Sequence, residues 1–300
     1  MRIGPRVWAL LGATTLLAAA CGGNGGGSDD TAATTPPQPA KITVTATATG
    51  DKVAFEVPAG IRPGATEITL VNNLKEPSEF QLAQFDEGHT ADEFLKMLSQ
   101  EGAPTPAWVH AFGGVGATQP GQQGKIIVDL KAGKYDWFST NSSEEENATP
   151  QFMRGGKGSL EVAGDPTGAV LPSTPATIQA VETSPTRYGW EVKGLKAGTN
   201  QVTFSNVGAQ LHHIIIGKLK DGATFDQAKT FFTSESGPTG PPPFDETSFD
   251  NTAVIERGVN EVETLELQSG TYVFACFITD REGGPPHAIK ANMIQEVKVP

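Results

Sequence analysis

The sequence predicts an all-β protein built from two tandem copies of one strand-rich unit, each copy carrying a short inserted helix. Three observations predict it. Short runs of alternating or β-branched residues recur along the chain, separated by Gly, Pro and Asn. Two long segments repeat each other at a fixed offset, as expected when a whole domain is duplicated. A Thr-x-x-Glu/Gln helix-start signal stands at equivalent places in the two repeats.

The chain opens on residues 1–21, which read as an export signal. Arg2 and Arg6 precede 7-VWALLGATTLLAAA-20, an apolar run too short to span a bilayer comfortably, and small residues lead into Cys21. This resembles a bacterial lipoprotein signal, which implies lipidation of Cys21 and a membrane anchor outside the cytoplasm. Residues 22–40 form a Gly/Ser-then-Pro/Thr linker with too few apolar residues for a core. Losing residues 1–20 removes two arginines and no acids, which leaves 20 basic against 34 acidic residues, a net charge of −14. That balance argues against nucleic acid as a partner and fits docking to a basic protein.

The repeat follows. Segments 59–102 and 193–237 match at an offset of 134, so Gly64 meets Gly198, Asn72 meets Asn206 and Gly88 meets Gly222. Later, 130-LKAGKYDWFS-139 matches 267-LQSGTYVFAC-276, and 160–162 matches 295–297. The organisation read from this is one domain over 41–163, a linker over 164–175 and a second domain over 176–300. Strands are expected at 41–49, 66–72, 125–130, 200–206, 261–267 and 271–277. Thr90 with Glu93 and Thr224 with Gln227 set capping boxes. Behind them Phe94, Met97 and Leu98, matched by Ala228, Phe231 and Phe232, line a helix face suited to core packing.

The chemistry concentrates in the second copy. Cys276, His287 and Met293 fall in order along 276-CFITDREGGPPHAIKANM-293, and His212 and His213 stand upstream in 204-FSNVGAQLHHIIIG-217. Two imidazoles, a thiolate and a thioether form the donor set of a mononuclear electron-transfer copper site. With its Asn turn before the histidines and its Gly-Thr-Tyr turn before Cys276, the second copy resembles the cupredoxins. The resemblance implies a Greek-key β-sandwich for each copy and one copper per chain. The ligands it implies are His212, Cys276, His287 and an axial Met293, with His213 as the alternative to His212. Ten residues separate Cys276 from His287, and the polar 279-TDREGG-284 within them suggests an exposed excursion beside the metal. In the first copy the matching positions are Ser78, Glu79, Ser139, Phe152 and Gly158, a set unable to hold a soft metal, so that copy is expected to be structural. His89 and His110 are expected at the surface.

Enzymatic readings find little support in the sequence. Copper oxidases and nitrite reductases of this superfamily carry a His beside the copper Cys, whereas the neighbours here are Ala275 and Phe277. No Gly-x-Ser-x-Gly elbow or phosphate-binding Gly loop occurs. The expectation is a non-enzymatic, extracytoplasmic copper protein that carries single electrons to a partner the sequence does not name. A metal-free binding or assembly module, or a copper chaperone, is the alternative.

Overall fold

The structure is a computed structural model that describes residues 36–100, 103–143, 148–234 and 240–300. Cys21, read above as a lipidation position, lies outside the described residues, as do the expected export signal, most of the expected linker to residue 40 and the acidic run 144–146. No helix among the described residues is long and apolar enough to cross a membrane.

The chain is mostly β. The first half contains β1 (Ala40–Thr49), β2 (Lys52–Glu56), β3 (Gly64–Asn72), β4 (Ser78–Phe85), α1 (Ala91–Leu98), β5 (Val109–Thr118), β6 (Gln123–Leu130), β7 (Gly133–Phe138) and β8 (Lys157–Val162). The second repeats the order with β9 (Ala176–Ser184), β10 (Arg187–Lys193), β11 (Gly198–Asn206), β12 (Ile215–Lys218) and α2 (Phe225–Thr233). It continues with β13 (Asp250–Asn251), β14 (Asn260–Leu267), β15 (Gly270–Ala275), α3 (His287–Lys290) and β16 (Ile294–Val299). Each strand read from the sequence falls on one of these. At α2 the capping box closes in both directions between Thr224 and Gln227. At α1 only half of it forms: Thr90 accepts from the Glu93 amide, while the Glu93 carboxylate faces His89 Nδ1 at 3.2 Å.

The halves are not separate beads on a linker. One eight-stranded sheet runs β10-β9-β11-β14-β6-β3-β1-β2, and each half adds its own four-stranded sheet, β13-β12-β15-β16 and β5-β4-β7-β8. The large sheet is palindromic, because β14 and β6 are counterparts in the duplication and pair antiparallel at its centre. Glu263 lies opposite Ile126 there, and at the offset of 137 relating 130–139 to 267–276 these two residues are each other's equivalents. A pseudo-twofold axis therefore passes through that pair, as in an isologous dimer. Part of the connecting segment is fixed as well: the Ala65 amide donates to the Ala169 carbonyl at 3.0 Å, and Ala169 packs with Ala65, Ile127 and Val262.

Each half buries its own core between its four strands of the large sheet and its small sheet. Ile178, Phe204, Leu265, Ile216, Phe274 and Val297 meet in the second half, and Val44, Ile68, Ile126, Leu82 and Trp137 meet in the first. Polar bridges cross the seam. Arg281 Nη1 donates to the carbonyls of Pro106 and Val109, and His110 contacts Asp86 and, across the seam, Glu256, both at 3.1 Å. His110 is therefore a half-buried bridge. Burial alone would lower its pKa, but the two carboxylates beside it raise it.

Candidate metal centre

Three local devices bring the donors together. The first is the Asn206 turn, whose side chain donates to the carbonyls of Gln210 and Ile255 and accepts from the Gly208 amide at 2.8 Å. Asn72 makes the same three kinds of contact in the first half, to Glu76, Thr118 and Leu74. The turn delivers His212, whose backbone exchanges both hydrogen bonds with Ile255. The second device is β15, an interior strand that places Cys276 just past its end. The third is the one-turn α3, which opens on His287 and returns the chain so that the Cys276 amide donates to the Met293 carbonyl at 3.1 Å.

His212, Cys276 and His287 form the one group of three or more potential metal ligands of the His, Cys, Asp and Glu types among the described residues, with donor atoms all within 4.8 Å of one another. Cys276 Sγ lies 3.8 Å from His212 Nδ1 and 3.6 Å from His287 Nδ1, and all three residues are fully buried. Each imidazole turns its other nitrogen to a carboxylate: His212 Nε2 to Glu182 at 3.1 Å and His287 Nε2 to Asp280 at 3.0 Å. These carboxylates orient the rings and leave both Nδ1 atoms facing the thiol. Tyr188 from β10 packs edge-on against both rings, and its hydroxyl donates to Asp280. Lys290 pairs with the other oxygen of Asp280.

The electrostatics follow from burial. Without a metal, burial pushes the Cys276 thiol up to about 12 and, with the nearby His212, brings His287 down to about 4. Burial also disfavours the Glu182 carboxylate, but hydrogen bonds from His212 and the amides of Gln210 and Ala209 outweigh it and lower the group to about 2. The pocket thus holds a neutral thiol and a neutral His287, both in the state from which a cation can displace the thiol proton.

Met293 is fully buried in the same core cluster as Cys276, and its amide donates to the His287 carbonyl at 2.9 Å. His213 is not among the three converging donors. Its Nε2 accepts the Phe277 amide proton at 3.0 Å, and burial, followed by the charges of His212 and His287, lowers its pKa to about 4.

The expected exposed excursion at 279–284 is corrected in part: Glu282 and Gly284 are exposed, but the segment is anchored around them. Asp280 is 4% exposed, and the Arg281 amide donates to Gln210 while its guanidinium reaches the first half. The segment is polar because it supplies the carboxylate behind His287 and a docking arm. Glu182, Asp280 and Tyr188 escaped the sequence reading, since acids in strand ends and loops look solvated until the fold places a histidine beside them. In the first half the expected counterparts Phe152 and Gly158 are corrected. Gln151 stands at the position of His287 and Gly156 at that of Met293, because the Gln151 amide donates to Asn141 and its carbonyl accepts from Gly156, as those of His287 do with Ile278 and Met293. Ser78 Oγ donates to Gln151 Oε1 at 2.8 Å.

The chain is thus two tandem β-rich halves, the second of which carries a buried His–Cys–His group. No family model matches the chain, and no curated protein matches it. Among solved structures it is similar to a multicopper oxidase, at 15% identity over 87% of this chain and 88% of that one, with a TM-score of 0.24. It is also similar to the dithionite-reduced auracyanin of the photosynthetic bacterium Roseiflexus castenholzii, at 24% identity over 43% of this chain and 99% of that one, with a TM-score of 0.27. A blue copper oxidase from Nitrosomonas europaea matches at 12% identity over 87% of this chain and 86% of its own, with a TM-score of 0.22.

Proposed function

We propose that this is a lipid-anchored extracytoplasmic protein that carries single electrons on one copper, held in its second half by His212, Cys276, His287 and an axial Met293. Each half is read as a Greek-key β-sandwich, and the chain as a carrier rather than a catalyst. The observation that carries the reading is the convergence of one thiol and two Nδ1 atoms in a sealed pocket.

The donor spacing fits such a group. A trigonal centre with bonds of about 2.0 Å to nitrogen and about 2.3 Å to sulfur separates N from S by about 3.7 Å, against the 3.8 and 3.6 Å found here. Thiolate and thioether favour a soft metal, and imidazole serves both copper oxidation states. When bound, copper supplies a one-electron redox couple. Cys276 contributes the thiolate once its proton is displaced, and Glu182 and Asp280 fix the tautomer and orientation of the two rings. Tyr188 and the apolar core around Met293 keep water out. Full burial of all three donors favours retention of a metal over its delivery, which weighs against the chaperone alternative. The acidic surface suits a basic redox partner.

The test is spectroscopic. The whole chain without its lipid, given Cu(II), should take up one equivalent and show an intense visible band from thiolate-to-copper charge transfer. A reversible midpoint potential should accompany it. Absence of the band, with Cys276 still open to alkylation after denaturation in the presence of copper, would sink the reading.

A further inference from the structure

The two halves line a cavity of about 540 Å³, partly open to solvent, that the metal centre does not use. Glu79 and Asn141 line it from the first half, and their counterparts at offsets 134 and 137, His213 and Ile278, line it from the second. Its size is that of a small-molecule site, and most of its lining is apolar, with Phe94, Leu98, Phe152 and Leu211 among the walls.

The polar groups in it are not equivalent. His213 Nε2 accepts the Phe277 amide proton, so the neutral ring carries its own proton on Nδ1. His213 is half-buried, and that N–H has no hydrogen-bond partner among the described residues, which leaves it free for an accepting atom of a ligand. On the first-half wall, Glu79 Oε1 accepts both the amide and the hydroxyl of Thr140, and no cationic side chain of the described residues pairs with it. Burial raises its pKa. An anion would meet that carboxyl, and a carboxyl whose Oε1 is taken up by Thr140 and which burial pushes toward its neutral form makes a poor counter-charge for a cation. A neutral ring system with an accepting oxygen satisfies both the walls and the free N–H.

We propose that this cavity is a binding site for a neutral aromatic carbonyl compound, seated with its oxygen on the Nδ1–H of His213 and its rings against Phe94, Leu98 and Phe152. The site does not depend on the metal. It does adjoin the metal pocket, because His213 holds the amide of Phe277 and Phe277 follows Cys276 in the chain. Occupancy should therefore be felt at the residue next to the thiol.

The experiment titrates the whole metal-free chain, with methyl and amide labels, against 2-acetylnaphthalene by NMR. Saturable shifts are expected in the methyls of Leu98, Leu211, Val254 and Ile278 and in the Phe277 amide. Naphthalene, which lacks the oxygen, should bind about fivefold more weakly, the worth of one hydrogen bond. Leu98→Trp, which fills the cavity from α1, should weaken the ketone about tenfold or more. Absence of saturable shifts, shifts confined to residues outside the cavity, or equal affinity for ketone and hydrocarbon overturns the proposal. So does undiminished binding to a folded Leu98→Trp protein. If that variant does not fold, the wild-type map and the hydrocarbon comparison decide.

Discussion

Positions 139 and 276 hold the same place in the two copies, and their backbones are treated alike. The amide of Ser139 donates to Gly156 and its carbonyl accepts from Phe152, as the amide of Cys276 donates to Met293 and its carbonyl accepts from Ala288. What differs is what fills the space. In the second half a thiol faces two imidazoles. In the first, Gln151 occupies the interior, accepting from Ser78 Oγ and donating to the Pro77 carbonyl and Glu76 Oε1. Gln151 stands where His287 does in the second half, and Phe152 takes the place of Ala288. The comparison teaches that the scaffold does not require a metal: a buried hydrogen-bond cluster can close the same pocket. The donors of the second half therefore exceed what packing demands, which is why they indicate function.

The largest test of this contrast is Cys276→Ser, which gives the second half the residue of the first. The copper band should vanish entirely while the far-ultraviolet circular dichroism is kept, and a coloured band that survives would break the assignment. Next come the carboxylates behind the rings. Asp280→Asn or Glu182→Gln should weaken metal affinity about 10- to 100-fold, measured by competition with a chelator. Unchanged affinity would mean that the rings are held by packing alone.

A third prediction concerns the seam between the halves. Glu261 and Glu263 are buried side by side on β14 and hydrogen-bonded to each other, and the Oε1 atom of each has no partner among the described residues. Burial raises Glu261 to about 8 and Glu263 well above its ordinary value, the latter reinforced by the charge of Glu261. The folded chain then holds protons that the unfolded chain releases above its own carboxylate range. This contribution to stability is complete at pH below about 4.5 and is lost as pH rises toward about 8, at up to about 1.4 kcal/mol per pH unit and proton. Chemical denaturation between pH 5 and 8 should show that slope, and Glu263→Gln should flatten it. A slope untouched by the substitution would assign it to other groups.

Smaller effects separate the pockets further. Gln151→Ala should cost the protein about 1–3 kcal/mol through the hydrogen bonds it strands and leave the copper band unchanged. Met293→Leu should shift the midpoint potential more than the metal affinity, because an axial thioether bond is long and weak. His213→Ala should leave the visible spectrum nearly as it was. If the band were lost in that variant, the ligand assignment would move from His212 to His213.

Much of this was legible in the residues. Period-2 runs with Gly and Asn punctuation located the strands, because a strand must alternate its faces wherever one face is buried. The repeat located the halves, and the rarity of Cys and His in the chain pointed to Cys276, His287 and the upstream pair. The partnership of β14 with β6 was not legible. Strand pairing over more than a hundred residues leaves no local signal, and Glu261 and Glu263 look like solvent-facing residues of an ordinary alternating strand. Asp280 and Glu182 were hidden for the same reason: a carboxylate reveals its role only through the imidazole that the fold sets beside it.

The sequence by itself determined the strand-rich class, the duplication, the places of the two helices and the types of donor available, because backbone propensity, periodicity and side-chain chemistry are local properties. Tertiary structure alone decided which histidine turns its Nδ1 to Cys276 and which takes the Phe277 amide. It alone joined the halves through a palindromic sheet and opened a cavity lined from both of them. These choices depend on distances between residues far apart in the chain, and such distances exist only once both cores have closed and the central strands have paired.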